Sequence, residues 1–212
     1  MVLAIVVAWL FTRFLLYPQL GVPDNAPMLL RPVAGFLLAW YLLHAAGERW
    51  SALGLARPRN LALALVFTFA LYAVIHLASV HVVPHLARAF SAAPSPPFLA
   101  YIRGNTVAFV GWVAIAWIVG GLVEELLFRG FLLDRISALA GRGMPGLACG
   151  VAGQAVLFGL LHLYQGAFGF VFAGFFALIY GIAYLLLGRN LWPLILVHGA
   201  WNTVAITGLY AR

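Results

Sequence analysis

The chain has 212 residues, 65% of them hydrophobic and 8% charged, with a net charge of +7 and a mean hydropathy of +1.05. A soluble domain of this length cannot hide so much apolar surface, so the composition predicts an all-α, polytopic membrane helix bundle, read as a single domain over 1–212. The basic residues are all arginine and are dispersed, mostly at span ends, rather than gathered on an aromatic-rich face; this excludes a nucleic-acid partner and leaves the lipid bilayer.

A bilayer core takes about 20 apolar residues per helix. Seven stretches come close, 2–17, 29–46, 61–80, 106–133, 147–163, 168–187 and 191–208, so about seven transmembrane helices are predicted. The first lacks the basic start and small-residue cleavage site of a signal peptide and reads as a retained helix. Pro18, Pro23 and Pro27 punctuate the first connection, and Arg57-Pro58-Arg59 the second. The longest connection, 81–105, holds His81, His85 and Pro94-Ser95-Pro96-Pro97, and reads as a surface helix or a lid rather than plain loop. Gly141-Arg142-Gly143-Met144-Pro145-Gly146 breaks the chain before span five, in which Cys149 reads as a buried, inert thiol. Arg49, Arg57, Arg59, Arg135, Arg142 and Arg189 fall in alternate connections, which the positive-inside rule makes cytoplasmic; Arg31, Arg88, Arg103 and Arg212 fall on the opposite side, so the bias is incomplete.

Against this background two adjacent glutamates in span four are expensive. Glu124 and Glu125 are two of only five acidic residues, and they lie between Ile118-Val119-Gly120-Gly121-Leu122-Val123 and Leu126-Leu127-Phe128. An ionised carboxylate in hydrocarbon needs a compensating partner, and an intramembrane ionisable residue is by default a functional candidate. Glu125 and Arg129 are four apart on a helix, acid before base, so the arginine can neutralise that carboxylate. Glu124 points about 100° away and has no partner on its own helix.

Two of the six histidines lie within or near the end of an apolar span. His162 closes Phe158-Gly-Leu-Leu-His162, with the phenylalanine one turn away on the same face; His198 opens His198-Gly-Ala-Trp-Asn202, which puts His and Asn on one face. With Glu124 they make a set of one carboxylate, two imidazoles and one amide on three helices. Such a set can hold a water or a metal such as zinc, with Glu124, His162 and His198 as ligands. The glutamate can take the proton of the attacking water, and Asn202 can donate to the developing oxyanion. That is peptide-bond hydrolysis inside a membrane. The helical His-Glu-x-x-His zinc signature and the Gly-x-Ser-x-Gly elbow are both absent.

Glu124-Glu125-x-x-x-Arg129, Phe158-x-x-x-His162 and His198-x-x-x-Asn202 together resemble the three-part signature of the CPBP group, the CAAX prenyl proteases and bacteriocin-processing enzymes also called the Abi family. The signature region, 106–208, covers about half the chain, and Ser51-Ala-Leu-Gly54-Leu-Ala-Arg57-Pro58 resembles the segment that often precedes it. The resemblance implies an intramembrane endopeptidase acting on a membrane-anchored or lipidated protein or peptide. Glu124 would activate water, His162 and His198 would position the water or a metal, and Asn202 would stabilise the oxyanion. Glu125, Arg129 and Phe158 would brace the site. The family is described both as metalloproteases and as metal-independent glutamate proteases, so zinc is an open alternative and no cofactor is assigned.

The expected location is the cytoplasmic membrane of a prokaryote, with no oligomeric state assigned. The alternatives are a non-catalytic immunity or scaffold protein of the same family, and a small proton-coupled transporter, since membrane Glu/His chains also relay protons. Depth raises a difficulty. At 1.5 Å per residue Glu124 lies roughly 24 Å from a helix end near residue 140, but His198 only about 10 Å into its span. The three can meet only if helices tilt or are offset.

Overall fold

In a computed structural model, residues 27–91 and 97–211 are described, and they form a bundle of α-helices. The predicted first span, 2–17, lies outside the described residues. The helices are α1 (Pro27–Ala45), α2 (Leu61–His81), α3 (Val83–Ala89), α4 (Thr106–Leu139), α5 (Met144–Leu161), α6 (Gly166–Leu186) and α7 (Trp192–Tyr210). Four are long and apolar enough to cross a membrane: Leu61–His81, Thr106–Leu139, Met144–Leu161 and Leu163–Leu186. The predicted spans 29–46 and 191–208 are helical as α1 and α7 but are not among those four. The long connection holds α3 and a 3₁₀ turn over Pro97–Ile102.

Local chemistry sets the helix starts. The Asn60 side chain accepts from the Leu63 N–H at 3.0 Å to cap α2, and Asn105 accepts from Ala108 at 3.1 Å to cap α4. Pro145 and Pro193 occupy the first turns of α5 and α7, where a missing N–H costs nothing. The outer faces are apolar: on α2, Phe69 is 73% exposed, and Val66 and Leu77 are also exposed. Soluble monomers rarely leave so large a patch uncovered, and lipid is the solvent that suits it. The protein is a multi-pass membrane helix bundle. Cys149 corrects an expectation, since it lies exposed on the outer face of α5 rather than buried. That helix turns Gly146, Gly150, Gln154 and Phe158 inward, and Cys149 falls off this face.

The connections α1–α2, α4–α5 and α6–α7 are tied together at one end. Asp134 is held by Arg142 at 3.3 Å, Arg189 at 3.4 Å and Arg135 at 3.6 Å, and Arg135 also pairs with Glu48. The Tyr184 hydroxyl donates to the Leu53 carbonyl at 3.1 Å, and the Leu191 N–H to the Gly54 carbonyl at 3.0 Å. Gly54 sits at φ +98, and a Cβ there would collide with the Arg189 carbonyl oxygen. Gly54→Ala is therefore expected to lower stability by more than about 1 kcal/mol, read as a lower unfolding midpoint in detergent.

This end also resolves the depth difficulty. Asp134 follows Glu124 by ten residues and His198 follows Arg189 by nine, so the Asp134–Arg189 pair brings Glu124 and His198 to similar depth. The last turns of α4, beyond Asp134, simply overshoot.

Candidate functional site

The middle of α4 is not an ordinary α-helix. Ala116–Glu124 and Leu126–Leu132 are π-helical, flanked by α-helical Thr106–Ile115 and Leu133–Leu139. Bonding i to i+5 puts more residues in each turn, so neighbours are separated by less than the 100° or so of an α-helix. Glu124 and Glu125 consequently reach the same histidine from α7. The His198 Nδ1–H donates to Glu125 Oε1 at 2.7 Å, while His198 Nε2 lies 3.9 Å from Glu124 Oε2. The expected division into two unrelated faces is thereby softened: His198 bridges the pair.

Glu125 is sealed, with 0% of its side chain exposed, and its Oε1 also accepts from Arg129 at 3.0 Å. The guanidinium of Arg129, 1% exposed, lies between two rings, 4.7 Å from the centre of Phe158 and 5.0 Å from that of Tyr180. Cation–π contact in a desolvated setting adds to the ion pair. Glu124 differs: 13% of its side chain is exposed and it faces a cavity of about 340 Å³.

His162 stands just past the end of α5, at the end of the predicted span 147–163. Its Nδ1 meets the Phe158 carbonyl at 2.9 Å. A carbonyl only accepts, so Nδ1 carries the proton and Nε2 keeps its lone pair. The Nδ1 of His198 likewise faces an acceptor, the Glu125 carboxylate, so in the neutral ring its proton sits on Nδ1 and its Nε2 is turned toward Glu124. Phe158 packs between the two rings, 4.8 Å from His162 and 6.4 Å from His198. Glu124, His162, His198 and Asn202 all line the one cavity, together with Arg129 and Phe158. Among the described residues no group of three or more His, Cys, Asp or Glu side chains has metal-holding geometry.

Sequence reasoning missed three lining residues. Tyr180 of α6 packs on Arg129 and lies 5.7 Å from the His198 ring, with no local motif to announce it. Arg31 of α1 lines the cavity with 6% of its surface exposed. Gly120 carried a legible signal, because a glycine inside a helix costs about 1 kcal/mol unless something approaches closely. A Cβ there would lie 2.7 Å from Asn202 Nδ2 and 3.6 Å from His198 Nε2. Gly120→Ala is expected to push the Asn202 side chain aside without breaking the helix, leaving the unfolding midpoint in detergent nearly unchanged, which thermal melting checks.

No curated protein and no solved structure matches the chain significantly. Residues 106–204, which hold α4, α5, α6 and most of α7, match the family model described as Type II CAAX prenyl endopeptidase Rce1-like, so the segment that carries Glu124, His162, His198 and Asn202 is similar to a domain of that family.

Proposed function

We propose that the protein is an intramembrane endopeptidase that cleaves a membrane-anchored or lipidated protein or peptide. The observation that carries this reading is the convergence on one cavity of a carboxylate, Glu124, with two imidazoles whose Nδ1 atoms are each engaged by an acceptor, the Phe158 carbonyl and the Glu125 carboxylate. The gap of 3.9 Å between Glu124 and His198 Nε2 is too long for a hydrogen bond, and one water can touch both. That water donates a proton to Glu124 as its oxygen attacks the scissile carbonyl carbon. Asn202 Nδ2 donates to the oxyanion, and Glu124 returns the proton to the leaving amine as the C–N bond breaks. Glu125 fixes the tautomer of His198, and Arg129, clamped by Phe158 and Tyr180, keeps Glu125 ionised. In this reading α1, α7 and residues 2–17 also cross, giving seven spans in the cytoplasmic membrane of a prokaryote.

A second version of the chemistry uses zinc: Glu124, His162 and His198 are of the residue types that hold it, but as placed among the described residues they do not form a metal-holding group, so they would have to draw together before an ion could supply a water of lowered pKa. Chelation separates the two versions: cleavage lost with a chelator and restored by zinc assigns the metal, and cleavage that persists assigns the glutamate alone. The test of the reading as a whole is cleavage of a candidate membrane substrate by purified protein and by Glu124→Gln. Equal rates would remove Glu124 as the catalytic base, and no cleavage by either protein would return the chain to a scaffold or transporter role.

A further inference from the structure

We propose that the cavity opens to the extracytoplasmic face, so that its substrates are exported polypeptides or polypeptides anchored in the outer leaflet. The inference rests on the protease reading for the word substrate, but not for the direction of opening. The cavity floor is formed by Gly120, Glu124, Arg129, Tyr180 and His198, which sit in helix interiors. Its rim comes from helix ends and connections: Arg31 near the start of α1, Leu99 in the 3₁₀ turn, Tyr164 and Gln165 between α5 and α6, and Leu209 at the close of α7. The Gly104 N–H donates to the Tyr210 carbonyl at 3.1 Å, tying the 3₁₀ turn's connection to that end of α7.

The rim therefore lies at the end opposite the Asp134 cluster. α5 starts beside that cluster at Met144 and reaches the rim about 27 Å away, its 18 residues rising 1.5 Å each. None of the cavity-lining residues comes from the connections 46–60, 140–143 or 187–191. Those three connections and the end of α4 carry six arginines, Arg49, Arg57, Arg59, Arg135, Arg142 and Arg189. The rim end carries Arg31, Arg88 and Arg103 among the described residues, and Arg212 follows α7 there in the sequence, four against six. Arginine near span ends is retained on the cytoplasmic side, and acidic residues contribute little to that choice. The arginine-rich end is thus cytoplasmic and the mouth faces away from it.

Cysteine labelling tests the direction without any turnover. In a Cys149→Ala background, Ala100→Cys and Gln165→Cys mark the rim and Ser51→Cys marks the opposite end. In spheroplasts a membrane-impermeant maleimide should label the two rim cysteines fully and Ser51→Cys only after permeabilisation. Trypsin provides a check on the unmodified chain: exposed Arg142 should be cut in inside-out vesicles and protected in right-side-out ones. Labelling of Ser51→Cys from outside, protection of the rim, labelling of both ends, or cleavage at Arg142 from outside would each overturn the proposal. Because neither readout needs catalysis, an inactive but correctly labelled protein would refute the protease reading alone.

Discussion

Glu124→Gln is expected to lower kcat for a membrane substrate by about 10²–10⁴-fold, the contribution of a positioned general base, with the unfolding midpoint unchanged. Both halves of that expectation follow from geometry. The Glu124 carboxylate faces the cavity and stands 3.9 Å from His198 Nε2, beyond hydrogen-bond reach, so an amide of the same shape disturbs no bond that holds the fold. The amide cannot accept the water's proton. Asn202→Ala, which removes a single oxyanion donor, should cost about 10²–10³-fold in kcat with little change in KM. Purified protein in detergent, assayed alongside thermal melting, measures both. Full activity in Glu124→Gln would remove Glu124 as the general base of the mechanism.

Arg129→Met is expected to be the most destabilising single change in the core, by about 3–5 kcal/mol, because it strips the partner from a fully buried carboxylate. Glu125 Oε2 already has no hydrogen-bond partner among the described residues, so Oε1 carries the whole compensation through Arg129 and His198. Adding Glu125→Gln to Arg129→Met removes the stranded charge while keeping an oxygen for the His198 Nδ1–H. The double variant should therefore recover much of the lost stability, and the coupling is measured by a double-mutant cycle of unfolding midpoints. Additive losses in that cycle would mean that Glu125 and Arg129 do not act as a pair. Loss of the aromatic clamp through Tyr180→Ala should move stability in the same direction by a smaller amount, since cation–π contacts contribute about 0.5–2 kcal/mol.

Much of this organisation was legible from residue spacing. Glu125 and Arg129 lie four apart, and a side-chain pair at that interval meets whether or not anything else is known. His198 and Asn202 share a face for the same reason, as do Phe158 and His162. Glu124 stood out because hydrocarbon penalises a lone carboxylate wherever it occurs. The apolar runs marked α2, α4, α5 and α6 before any packing was considered. The position of Cys149 was misread because an apolar stretch in a membrane protein is apolar on both its lipid-facing and its core-facing sides. Periodicity then carries no information about which residues turn inward.

What spacing along the chain determined was therefore local: which side chains share a helix face, and which segments prefer lipid to water. Those properties depend on 3.6-residue geometry and transfer free energy, both functions of a single segment. Which segments meet was decided only in three dimensions. The π-helical widening of α4 swings Glu124 and Glu125 toward one histidine. The ion pair between Asp134 and Arg189 sets α7 at the height where His198 can reach them. Tyr180 and Arg31 join the cavity from positions that no local pattern connects to it. Depth and rotation of one helix against another are balances of packing and charge between distant segments, and such balances exist only once the segments are side by side.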